Sequence, residues 1–150
     1  MNKEEINRLF AIEQEGHAAR EALNEYVGEI YDHYMEEIER QKEELKKEYP
    51  AFDERISELE RCNQGFHKFY IGGDQLHLVG SDYFRGEQNI EEDTLPLSIF
   101  GADNWRELVN EHVTTKISHH RNQLKRVEEQ EEINQRYQYE QLKQKYEGDK

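Results

Sequence analysis

Between Lys3 and Glu48 the chain contains no proline, and its apolar residues keep helical time. Leu23, Val27, Ile30, Tyr34, Ile38 and Leu45 recur at spacings of three, four or seven, and Ile6, Leu9, Phe10 and Ala19 extend the stripe backwards. The mean spacing, about 3.67 residues, is that of an eleven-residue repeat, so straight or slightly right-handed packing is expected. A helix over residues 1–48 runs to about 70 Å at 1.5 Å per residue. A compact chain of 150 residues has a radius of gyration of only about 15 Å. Such a helix cannot be wrapped by its own domain and needs a partner along its length.

Pro50 ends that helix and pushes Tyr49 out of helical geometry. Phe52, Ile56 and Leu59 then predict a short helix over residues 51–62, ending near Cys62. Residues 65–103 read as a small β-rich centre. Phe66–Ile71 and Gln75–Val79 are strand-like runs separated by Gly72-Gly73-Asp74, and Asp82–Arg85 is a third candidate strand between Gly80 and Gly86. Glu91–Thr94 reads as an acidic loop, and Pro96 restricts Leu95–Phe100 to an edge strand or an irregular segment. Asp103 or Asn104 is a good N-cap for a last helix over residues 104–147, with Trp105, Leu108, Val109, Val113, Ile117, Leu124 and Val127 on one face. The expected fold is α+β: two long amphipathic helices, paired antiparallel like a coiled coil, flanking a small antiparallel β meander.

Charge narrows the function. The formal net charge is -14, carried by residues 1–48 and 49–103 at -7 each, whereas residues 104–150 balance to zero. Direct nucleic-acid binding is disfavoured, because counterion release needs a cationic face. An acidic surface suits solubility, or a basic protein partner. A nucleic-acid mimic should array carboxylates at phosphate spacing, whereas Lys and Arg interrupt them in both helices. Cys62 is the only cysteine, which excludes an internal disulfide and suits a reducing compartment. The first residues lack a signal-type apolar run, and no stretch is long and apolar enough to span a membrane. A cytoplasmic location is the expectation.

No catalytic constellation stands out. Cys62 and His67 are not in a recognisable nucleophile–base arrangement. The residues three before His17, His33, His112, His119 and His120 are not acidic, so the Glu-x-x-His pattern of carboxylate-bridged metal bundles is absent. The expectation is a non-enzymatic protein with no metal and no cofactor. Aromatic and cationic residues do collect in the centre. Tyr83, Arg85, His77 and Trp105 are the candidate contacts for a small anionic ligand such as a nucleotide, offering stacking faces and donors. Lys116, His120, Arg121 and Lys125 form a second-choice anion site on the last helix. Self-association is expected from the long stripes, so the partners are further copies of the chain, a nucleotide-like ligand or a basic host protein.

Residues 83–105 also carry a resemblance. Tyr83-Phe84-Arg85-Gly86 is followed by polar residues, then Leu95-Pro96-Leu97-Ser98-Ile99-Phe100, then Ala102-Asp103-Asn104-Trp105 opening a charged helix. This pattern resembles a segment of small, mostly uncharacterised bacteriophage accessory proteins. Those proteins often place a Gly/Cys-rich turn where this chain has Gly86-Glu87-Gln88-Asn89. The resemblance implies a non-structural phage protein with a counter-defence role, and it carries over no functional residue.

Overall fold

The computed structural model describes residues 2–60 and 65–148. Cys62, and with it the end of the expected short helix, lies outside the described residues. Helix α1 spans Lys3–Glu48 and opens on a capping box in which the Asn2 side chain accepts from the Glu5 backbone N–H at 2.9 Å. Lys46 and Lys47 complement its C-terminal dipole. After a single 3-10 turn at Pro50–Phe52 comes α2, only Asp53–Ser57, which buries Ile56.

Three antiparallel strands follow in the order β1-β2-β3: Gly65–Gly72, Gln75–Phe84 and Glu87–Pro96. Two expectations are corrected here. Gly80 does not separate two strands but sits inside β2, opposite Phe66 of β1 and Glu91 of β3. The acidic segment Glu91–Thr94 is not a loop but the second half of β3, paired residue by residue with His77–Gly80. The cause is the tight turn between β2 and β3. Arg85 and Gly86 both have positive φ, +53° and +79°, the signature of a two-residue hairpin turn whose twist matches its strands. That turn aligns ten residues on either side, and cross-strand hydrogen bonding holds an acidic strand that burial alone would not. Pro96 stands at the end of the edge strand β3, as its missing N–H requires.

Helix α3 runs from Trp105 to Gly148. It pairs with α1, but in the opposite sense to that expected. His33 Nε2 donates to Asn110 Oδ1 at 2.7 Å, Gln41 Nε2 to Thr114 Oγ1 at 3.0 Å, and Arg121 Nε to Glu48 Oε2 at 2.9 Å. Residue numbers rise together along both helices, so they run parallel. An apolar stripe has no direction, so it does not distinguish antiparallel from parallel pairing. Residues 49–104 decide it, carrying the chain back from the end of α1 to its middle. Phe66 reaches Gly28, the Gly101 N–H donates to Tyr26 Oη at 2.9 Å, and Trp105 meets His33. Gly28 permits that return: a Cβ there would stand 3.3 Å from the Phe66 ring.

One core forms where these elements meet. Val27, Ile30, Tyr34, Ile38 and Leu45 of α1 pack with Val109, Val113, Ile117 and Leu124 of α3, and Leu76, Leu78, Leu95 and Ile99 close it from the sheet side. Buried Lys42 ties α2 to α1 by donating to the Ser57 carbonyl at 3.1 Å. Residues 3–23 of α1 and 128–148 of α3 are exposed throughout, although they carry Ile6, Leu9, Phe10, Ile133, Tyr137, Tyr139, Leu142 and Tyr146. Stability should therefore concentrate in one stretch of each helix. In denaturant titrations Ile30→Ala should cost about 2–5 kcal/mol, the usual range for emptying a full core site. Ile133→Ala should stay within about 0.5 kcal/mol of the parent.

Candidate functional site

The four residues expected to hold a small anion do not form one site. His77 lies on β2 as the cross-strand partner of Tyr70, its ring stacked on the tyrosine at 4.4 Å. His77 Nδ1 donates to Glu92 Oε1 at 2.5 Å, and Tyr70 donates to the same carboxylate oxygen. These bonds, Tyr70 first, hold Glu92 below the usual carboxylate range, and the carboxylate in turn pushes the Tyr70 phenol up. An anion approaching His77 therefore meets a carboxylate already in place. Tyr83 is six residues further along the same strand, about 20 Å away at 3.3 Å per residue, and is 75% exposed. Arg85 occupies the hairpin turn beyond it. Trp105 is 8% exposed at the start of α3, edge-on to His33, with the Arg106 guanidinium 4.5 Å from its ring centre.

The second-choice anion site is similarly committed. Lys116 Nζ donates to Tyr34 Oη at 2.5 Å and lies 3.7 Å from both Glu60 and Asp93. His120 Nε2 donates to Glu60 Oε1 at 3.3 Å, and Arg121 pairs with Glu48. Lys125 is exposed one turn beyond them. Three of the four cations are thus turned to acids of this chain, and what they build is a polar junction of α1, α3, β3 and the turn after α2. Burial raises the Asp93 carboxyl against the pull of Lys116. Next to it His112 faces the Tyr34 ring at 6.3 Å, and its Nε2 is buried with no hydrogen-bond partner among the described residues. Burial first, and the Lys116 cation second, hold its imidazole below the ordinary value.

The feature that linear reading missed is on the outside of α1. Glu21, Glu25, Glu29, Asp32, Glu36, Glu39 and Glu43 are all exposed and, at 100° per residue, fall within about 80° of one another, opposite the core stripe. No Lys or Arg occurs from Glu21 to Glu39. The interruptions noted in the sequence lie beyond this span or on other faces. His17 pairs with Glu21, Lys42 with Glu39 and Lys46 with Glu43. Glu25, Glu29, Asp32 and Glu36 have no ion pair among the described residues. Beside them is an open groove of about 620 Å³, where Phe66 lies against Gly28 between Glu25, Glu29, Asp32 and His67. Three carboxylates around an aromatic ring suit a guanidinium or ammonium group. The same helical period that revealed the core would have revealed this face, had charge been projected as well as hydropathy. Among the described residues no group of His, Cys, Asp and Glu has metal-site geometry.

His112 yields a test of the junction. Its folded pKa lies below that of a free imidazole, so the unfolded chain takes up the proton first. Its contribution is therefore fully present above pH 6.5 and is lost as pH falls from there through the lower folded value. Urea titrations at about pH 7.5 and 5.5 should show a smaller acid-induced loss of stability for His112→Gln than for the parent. Equal losses would mean that His112 is not the group responsible. In comparisons with known proteins, no family model, curated protein or solved structure matches this chain.

Proposed function

We propose that this chain is a non-catalytic binding protein that presents the outer face of α1 to a basic protein surface. The observation carrying this reading is the row of carboxylates from Glu21 to Glu43, uninterrupted by any cation as far as Glu39. Seven carboxylates over this stretch give about one per 5.5 Å of helix axis, against one phosphate per 3.4 Å along a DNA strand. The face is thus sparser than a nucleic-acid backbone. It suits a lysine- and arginine-bearing protein surface better than strict phosphate mimicry, and the groove over Phe66 supplies a place for one inserted cationic side chain. Complementary charge of this kind acts chiefly on association rate and specificity, and weakens as salt rises. Occupying a partner's basic surface is a means of inhibiting it, in keeping with the counter-defence role implied by residues 83–105. Capture of a small anion gains no such support, since its four expected contacts are dispersed and His77 already serves Glu92.

The test is fluorescence anisotropy with an arginine-rich peptide on two full-length variants that lose the same formal charge. E25Q/E29Q/D32N/E36Q removes the centre of the row, and E128Q/E129Q/E131Q/E132Q neutralises acids on the far arm of α3. The first should weaken binding about tenfold or more, on the scale of ~1.4 kcal/mol, and flatten its salt dependence, while the second stays near the parent. Equal weakening in both would reduce the interaction to net charge and remove the basis for the proposal.

A further inference from the structure

Among the described residues two helical segments are exposed along their whole length without a packing partner, and they match. Residues 3–23 of α1 and 128–148 of α3 are 21 residues each. Because the helices run parallel, the first precedes the paired zone and the second follows it, so the arms leave from opposite ends. Each continues the stripe that is buried in the middle. At 100° per residue Leu9, Ile12, Gly16 and Leu23 lie within about 60° of the direction of Leu45, as do Val27, Tyr34 and Ile38. On α3, Tyr139, Leu142 and Tyr146 lie within about 60° of the direction of Leu124 and Ile117.

We propose that copies of this chain associate head to tail, the α1 arm of one copy packing parallel against the α3 arm of the next. The contact continues the α1–α3 interface already present within the chain, using the same two faces in the same relative direction. Equal arm length leaves neither end overhanging. The register follows from where α1 stops, with Glu48 beside Arg121. A second copy whose α1 begins just past that point, residue 2 beside residue 125, sets Leu23 opposite Tyr146, Ala19 opposite Leu142 and Gly16 opposite Tyr139. Gly16 and one of the arm's four alanines, Ala19, then face large side chains of the α3 arm. Gly16 has nothing within 4 Å of its missing Cβ in the single chain, and in this register it makes room for a tyrosine ring. Such a contact is heterologous, so it propagates into a filament or closes as a ring rather than stopping at a pair. Both arms are net negative, so their apolar contact strengthens with added salt, opposite to the salt response of the carboxylate face.

Sedimentation velocity on full-length protein tests this with two variants in exposed positions, A19E/L23E on the α1 arm and L142E/Y146E on the α3 arm. The parent should grow with concentration well past the mass of two chains, from 18.1 kDa, and grow further at higher salt. Each variant alone should sediment as a single chain with the parent's helical circular dichroism. Their mixture should stop at a one-to-one pair, formed through the one intact arm of each type. A parent that stays at 18.1 kDa overturns the proposal. So does a variant that keeps the parent's assembly, because like arms would then be joining each other.

Discussion

The parallel contact between the second half of α1 and the first half of α3 is what the other elements answer to. Helices consecutive in a bundle ordinarily turn back on each other through a short loop. Here a helix of 46 residues is followed by a connection that must travel back along it before the next helix can start. α2 and the three strands provide that return, and the sheet packs where the chain must pass close to α1, at Gly28 and Tyr31. The sheet is thus a connector as much as a layer. Its own apolar content is small, and most of the core consists of helix facing helix.

The Lys116 junction makes that connection specific. A single ammonium group is shared by a tyrosine of α1, the carboxylate of Glu60 after α2 and the carboxylate of Asp93 on β3. An apolar residue there would pack, but it would take from Glu60 and Asp93 the cation they share and would not distinguish one rotation of α3 from another. Partly buried ion pairs contribute little net stability, because desolvation offsets attraction. Fixing which residues meet is the role they fill best. Gln41, two turns beyond Tyr34 on α1 and buried between Glu37 and Thr114, does the same.

Much of this was legible in the sequence, and for identifiable reasons. Both long helices, their ends at Tyr49 and Trp105, the first strand and the start of the second follow from periodicity, Pro50, the Asp103-Asn104 cap signal and the Gly72-Gly73 turn, all of which are local signals. The direction of helix pairing was not legible, since a hydrophobic stripe reads the same from either end. Nor was the strand character of Glu91–Thr94, because its pairing is imposed by a turn five residues away and its own side chains argue against it. The candidate ligand residues failed to converge for a related reason. Tyr83, Arg85, His77 and Trp105 are near in sequence, but an extended hairpin separates neighbours by more than 3 Å per residue, whereas a helix gathers residues three or four apart. The carboxylate row on α1 is legible by that second rule.

One further property follows from the β3 edge. Strand β3 forms one edge of the sheet, and it carries Glu87, Glu91, Glu92 and Asp93. At the opposite side, β1 is broken in register between Phe66 and Lys68. A further strand docking on β3 would bring its own side chains beside a file of like charges, and one docking on β1 would lose step at the bulge. The sheet is therefore terminated on both sides. Sheet-to-sheet addition is thereby opposed at both edges, which leaves the proposed head-to-tail assembly of the helical arms without a competing route along the strands.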